Sequence, residues 1–455
     1  MILKYVAYDE IQKHKDLSDL ANIHKINTLY MIKNAGSGHL GTSFSSAEIM
    51  TYIYYKLLSN DDIFFSSKGH DVCMQYAILQ GLGKIPFDTI KFFRRGGCLP
   101  GHPDINYTPQ LVTNTGSLGM GLSKAKGMAI VNRINGIASN IYVLMGDGEM
   151  EEGQNWEAIR NIAKENLSCI TAIIDFNGWS SDVKTRYSVK ELTAQFNAFG
   201  WETTLIPDGN SIDMLHNYWP KPCSKPRAII CMPTKGINGS QYHSGPITDE
   251  QYTLALDTLN HNLLSDINFT ETVFEMKMSS HIYRKNNLVE SYSRSIDLLM
   301  QYNNVICLSA DLIKDCGLDN VQKTYPNRLI ECGISEQDMV STAGGIALSG
   351  KIPVCHSFAC FLASRANEQI YNNCTERKKI IYVGFMAGIL HFGPGVSHES
   401  RRDIDLLRGM PNLTIMEPRN SCDLIEAVIW AYFENAHSTY IRICQWPDIE
   451  NMIKI

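Results

Sequence analysis

The sequence predicts an α/β chain in two blocks, each built on a parallel sheet. Three observations predict it. Short, nearly continuous apolar runs end in turn residues, helix-like segments lie between them, and a polar joint without periodicity divides the chain. Runs of this length suit strands buried on both faces, which requires a sheet covered by crossover helices.

In the first block, residues 45–58 have helical apolar spacing after a Gly-rich turn. Residues 141–145 (IYVLM) form a predicted strand that ends in Gly-Asp-Gly. Residues 169–176 and 228–232 supply two more strands, with a helix predicted over 153–165. The stretch 266–288 is polar and mixed. Beyond it, strands are predicted at 305–309, 380–384, 413–416 and 439–443, and helices at 339–348 and 422–433. At roughly 100–200 residues per domain, 455 residues allow two or three. The boundaries expected are a first domain over 1–270, a linker over 271–288 and a second domain over 289–455.

Composition narrows the function. The hydrophobic fraction of 44% and the charged fraction of 19% fit a soluble globular protein. A net charge of -6 without a basic run excludes a nucleic-acid or anionic-membrane footprint. No apolar stretch approaches the roughly 18 residues of a membrane span, and the N-terminus turns charged too early for a signal peptide. The 13 cysteines form no CxxC pair and lie mostly in apolar runs, so they read as reduced core residues of a cytoplasmic protein. Small molecules and other protein surfaces remain as partners.

Asp147 stands between Gly146 and Gly148 directly after the 141–145 run, and Asn177 ends the 169–176 run. An isolated Gly-Asp-Gly is most often a tight turn. A strand-end carboxylate and a strand-end amide on neighbouring strands can instead share one Mg²⁺, which prefers a few protein oxygens plus phosphate and water.

Residues 146–178 (GDGEMEEGQNWEAIRNIAKENLSCITAIIDFNG) resemble the thiamine-diphosphate fingerprint of the transketolase family along their whole length. SGHLGTS at 37–43, Ser67-Lys68-Gly69-His70, LPGHPD at 99–104, Thr115-Gly116-Ser117-Leu118-Gly119 and Asp208-Gly209-Asn210 extend the likeness. Gly333-Ile334-Ser335-Glu336-Gln337, HSFACF at 356–361, GPGVSHES at 393–400 and residues 403–418 carry it through the second block.

The resemblance implies two doubly wound parallel-sheet domains of the thiamine-diphosphate-binding fold. It assigns Asp147, Asn177 and the Trp179 carbonyl to a metal ion, Mg²⁺ or else Ca²⁺ or Mn²⁺. It places His70 on the diphosphate, gives Gly116, Gly146 and Gly148 close backbone approach, and presses Leu118 on the cofactor. Phe358 and Phe361 hold the pyrimidine ring, and Glu336 hydrogen-bonds its nitrogen. His39, His102 and His398 line the reacting centre, with His243 a further position. Glu152 joins a carboxylate network between the two sites of a homodimer.

Departures from the family pattern are expected on the substrate side. The third transketolase domain is absent from the expected layout, or supplied by a separate chain. The family's sugar-reading Asp aligns with Pro394, a funnel His with Met386, and a phosphate-gripping Arg with Gln445. Asp315 or Cys316 falls near the clamp Ser, and Arg284 is the nearest basic residue to the missing clamp Arg. The function expected is transfer of a two-carbon ketol or related acyl unit to an aldehyde or ketone acceptor that is not an ordinary sugar phosphate. The alternatives are 2-keto acid decarboxylation with carboligation, and a non-catalytic partner subunit.

Overall fold

The computed structural model describes residues 1–95, 98–180, 183–236, 245–273, 287–389 and 395–444. The chain divides into two compact units, 1–275 with 392–397, and 276–391 with 398–455.

The first unit contains β1 (Ile2–Val6), β2 (Ile63–Ser66), β3 (Ile141–Gly146), β4 (Ile170–Asp175), β5 (Glu202–Ile206), β6 (Arg227–Cys231) and β7 (Phe269–Val273). Five of these form an all-parallel sheet in the order β2-β3-β4-β6-β5. Every residue of β3, β4 and β6 is buried, which is why these three appear as apolar runs. Their side chains alternate between two cores. Tyr142, Leu144, Ile173 and Ile229 enter one, and Val143, Met145, Ile174 and Ile230 the other. A sheet with helices packed on both faces is the doubly wound arrangement. Separately, β1 and β7 form an antiparallel ribbon, with Ile2 opposite Val273 and Val6 opposite Phe269.

The single helix predicted over 45–58 is broken. Helices Leu40–Ser45 and Ala47–Tyr52 are followed by a π-turn, Ile53–Leu57. At the break the Ser46 hydroxyl donates back to the Thr42 carbonyl at 2.8 Å, the local side-chain bond that competes with a regular helix. β5 escapes the sequence pattern because it is an edge strand with only Ile206 buried.

The second unit contains β8 (Val305–Ser309), β9 (Leu329–Glu331), β10 (Ile352–Phe358), β11 (Ile381–Ala387), β12 (Leu413–Met416) and β13 (Ser438–Cys444). They pair in parallel in the order β12-β13-β11-β10-β8-β9. Two cores again take alternate residues: Val305, Val354 and Val383 on one side, Leu308, Cys355 and Tyr382 on the other. Helices Glu336–Leu348 and Ser421–Phe433 match the predicted segments. Among the described residues no helix is long and apolar enough to cross a membrane.

Candidate active site

In the first unit the register of β3 and β4 sets Gly146 beside Asp175, so the two strands end level. Asp147 and Asn177 therefore leave neighbouring strand ends, where α/β sheets bind ligands. The Asp147 carboxylate accepts the N–H of Gly148 at 3.0 Å, the N–H of Gly178 at 2.7 Å and the Thr185 hydroxyl at 2.6 Å. Burial pushes its carboxyl up to about 6, against the Thr185 hydrogen bond and with help from the charge on Asp175. The Tyr187 hydroxyl donates to the Asp147 carbonyl. Asn177 accepts the Trp179 N–H at 3.2 Å through Oδ1 and donates through Nδ2 to Asp175 at 3.3 Å.

Asp175 is fully buried and receives the Lys68 ammonium together with the Ser45 hydroxyl, the latter at 2.6 Å. Lys68 also reaches Thr42 Oγ1 at 2.9 Å and Asp71 at 3.2 Å. Burial alone would depress the Lys68 ammonium, but Asp175 and Asp71 outweigh it and hold it above the ordinary lysine range.

His39, His70 and His102 converge, with ring centroids 4.7–5.2 Å apart. The His70 Nδ1–H donates to the Lys68 carbonyl at 2.6 Å. Burial pushes His70 down to about 4, opposed by that bond and assisted by the charges of Lys68, Arg94 and Lys235. The loops carrying these rings approach closely only because of glycine. A Cβ on Gly69 (φ +67) would lie 2.6 Å from the Gly116 nitrogen, and one on Gly116 (φ +115) would lie 2.7 Å from the His102 ring. Gly146 is under no such pressure from the protein, since a Cβ there would meet Lys68 at an ordinary 3.5 Å. A Cβ on Gly148 would meet the Ser180 Oγ at 3.0 Å. Leu118 is half-buried in the turn that follows Gly116. Buried Glu149 ties that turn to the strand end by accepting from Ser67 Oγ, the Gly119 N–H and the Gly146 N–H. Glu152 is buried beside Gly119.

In the second unit Glu336 opens its helix and is 2% exposed. Arg365 pairs with it, and the Arg365 guanidinium lies 4.4 Å from the Phe361 ring centroid. The His398 ring packs edge-on against Phe361 at 5.1 Å and against Phe358 at 6.3 Å. One buried carboxylate, one arginine, two phenyl rings and a histidine are thus grouped around the carboxyl end of β10. Nearby, Glu331 accepts the N–H groups of Asp311 and Gly333 at 2.7 and 2.8 Å, bracing the turn before Glu336.

On the substrate side, Met386 has φ +50 at a register shift between Gly384 and Ala387. Cys316 is buried in a core and Asp315 is exposed, so of the two clamp alternatives Asp315 faces solvent. His243, Arg284, Pro394 and Gln445 lie outside the described residues. Sequence reasoning missed Lys68, Asp175, Glu149, Thr185 and Arg365. The signal for Asp175 was a carboxylate inside an otherwise apolar strand, which is buried only when paired.

Residues 17–261 match the family described as transketolase, thiamine diphosphate binding domain, and residues 292–445 the transketolase pyrimidine binding domain. The chain is similar to transketolase-like protein 2 of Mus musculus, with 30% identity over 91% of this chain and 72% of that protein. It is also similar to a subunit of the apulose-4-phosphate transketolase of Actinobacillus succinogenes, with 34% identity over 56% of this chain and 97% of that protein. In fold it resembles transketolase from Leishmania mexicana, with a TM-score of 0.52 and 19% identity over 94% of this chain and 77% of that one. The chain is a transketolase-like transferase and belongs to the transketolase family.

Proposed function

We propose that this chain transfers a two-carbon ketol or related acyl unit to an aldehyde or ketone acceptor in carbohydrate metabolism, with thiamine diphosphate and a divalent cation. The observation that carries the reading is Glu336, a buried carboxylate at a helix start grouped with Phe358, Phe361 and His398. Ionisable groups buried in this way beside aromatic rings and a histidine cluster at functional sites.

The residues present fit the cofactor. Asp147, Asn177 and the Trp179 carbonyl offer oxygen only, the donor set of Mg²⁺, with Ca²⁺ or Mn²⁺ as substitutes. A cation there favours the ionised form of Asp147, reversing the effect of burial. When bound, thiamine diphosphate supplies an electron sink for the donor fragment. His70 contacts the diphosphate, the glycine turn at Gly116 lets backbone approach it, and Leu118 presses on the cofactor. Phe358 and Phe361 hold the pyrimidine, and Glu336 holds the proton at its ring nitrogen. His39, His102 and His398 exchange protons with substrate oxygens.

Two copies of the chain work as a homodimer in this reading, with Glu152 in the shared carboxylate network. A separate chain carrying a further domain is compatible with a relative whose name is that of a subunit. None of the 13 cysteines is disulfide-bonded, which supports a cytoplasmic location. A test is to incubate the cofactor-loaded protein with a panel of ketoses and 2-keto acids and search for covalent cofactor adducts by mass spectrometry. Adducts from ketoses support ketol transfer, and adducts from keto acids alone replace it with decarboxylation and carboligation.

A further inference from the structure

We propose that Asp175 and Lys68 are positioning residues that fix which way the Asn177 amide faces, and so set the cation requirement of cofactor binding. This rests on the reading that Asp147 and Asn177 hold the cation.

An Asn side chain has a donor end and an acceptor end of nearly equal size, and only the acceptor end can ligate a metal. Something must hold the amide the right way round. Asp175 does so here. Its Oδ1 faces Asn177 Nδ2 at 3.3 Å. A carboxylate paired with an ammonium is an acceptor, so it favours the NH₂ end of the amide. The Asn177 oxygen is thereby turned to the opposite side, where the Trp179 N–H also meets it at 3.2 Å.

Asp175 is fully buried, and Lys68 places its ammonium on Asp175 Oδ2, alongside the Ser45 hydroxyl at 2.6 Å, so Oδ1 is the oxygen turned toward Asn177. Lys68 itself is 4% exposed and is further fixed by Thr42 and Asp71. Its carbonyl accepts from His70, so the same residue links the loop of His70 to the strand end of Asn177. Partners behind a metal ligand typically contribute roughly 10- to 100-fold to metal affinity.

The test titrates thiamine diphosphate into the full chain by calorimetry at a series of Mg²⁺ concentrations. Asp175→Asn keeps the size but offers either an amide oxygen or an amide nitrogen, so only the Trp179 N–H still favours one orientation of Asn177. We expect its half-saturating Mg²⁺ to rise roughly 10- to 100-fold, with wild-type cofactor affinity restored at saturating Mg²⁺. Lys68→Arg keeps the charge and should keep the wild-type requirement. If Asp175→Asn does not fold, the double variant Lys68→Met/Asp175→Asn removes both charges together and reads the same quantity. A lowered melting temperature with an unchanged Mg²⁺ requirement overturns the proposal, as does a raised requirement in Lys68→Arg. Asp147→Ala is the separate control. If it binds cofactor normally in Mg²⁺, the assignment of the cation site has failed, independently of what Asp175 does.

Discussion

Arg365 places one nitrogen, Nη1, on both carboxylate oxygens of Glu336, at 3.2 and 3.0 Å. The contact fixes the carboxylate in rotation as well as in position. The same guanidinium stacks on Phe361, so the acid and the aromatic wall share one support. Removing one partner of a buried ion pair costs on the order of 3–5 kcal/mol, because the other charge is stranded. Arg365→Met should therefore lower the stability of the second unit by an amount toward the lower end of that range, since Arg365 keeps some contact with solvent. Urea unfolding measures it, and a change within error would mean that Glu336 is adequately solvated on its own.

Glu336→Gln should retain thiamine diphosphate yet fail to activate its reactive carbon. Glutamine preserves shape but has no charge to offer a protonated ring nitrogen. Positioned acid–base groups contribute roughly 10²–10⁴-fold, and the exchange of deuterium at that carbon, read by NMR after acid quench, should slow by a factor in that range. Wild-type exchange in the variant would remove Glu336 from the mechanism.

Asp147→Ala should abolish Mg²⁺-dependent cofactor binding while the apo protein still folds. Thr185 and the Gly178 N–H lose an acceptor in this variant, so a stability loss of about 1–3 kcal/mol accompanies it. Chelation of the wild type should release the cofactor likewise. Retention of cofactor in excess chelator would place the diphosphate elsewhere.

Acid should destabilise the first unit through His24, which burial pushes down to about 3 from an ordinary 6.5. Between these values the unfolded chain binds a proton that the folded one refuses. The stabilisation is complete above pH 6.5 and is lost as pH falls, by about 1.4 kcal/mol per unit once the unfolded histidine is protonated. His24→Leu should make the dependence of unfolding free energy between pH 7 and pH 5 less steep, with the contribution from His70 remaining. An identical slope in both proteins would show that His24 does not control it.

Ordinary ketose phosphates should be poor substrates. Asp315, one of the two residues expected near the family's clamp serine, is exposed, and carboxylates repel a phosphate dianion. Losing charge-assisted donors amounts to roughly a hundredfold in binding. Steady-state assays with xylulose 5-phosphate and ribose 5-phosphate check this. A kcat/KM of about 10⁴ M⁻¹s⁻¹ or more would contradict it and favour a phosphorylated substrate.

Most of the strands legible in the sequence are buried on both faces; β12, a half-buried edge strand with an apolar run, is the exception. β8 and β12 fall on the predicted bounds, and β3, β4 and β6 within a residue or two of theirs. β10 does not stand out because Pro353 interrupts its pattern, although the strand pairs on both sides. Asp147, Asn177 and Glu336 stand out as polar residues where buried elements begin or end. The Lys68–Asp175 pair spans 107 positions, and no local pattern announces it. It becomes visible only once the strand order sets the ends of β2, β3 and β4 side by side. Arg365 is hidden for a similar reason, since its partner lies 29 positions away on another helix.

The ribbon formed by β1 and β7 has a consequence for biosynthesis. β1 is translated well before its partner strand, which ends at Val273. At about 5–20 residues per second, the ribosome delivers that partner roughly 15–50 s later. Throughout this interval Leu3, Tyr5 and Val6, all buried in the finished fold, belong to a strand with an open edge. Such an edge is a template for pairing with other chains. The newborn protein is therefore open to such pairing while the residues between the two strands are being made, and a chaperone that shields β1 until Val273 emerges should raise the yield of folded chain.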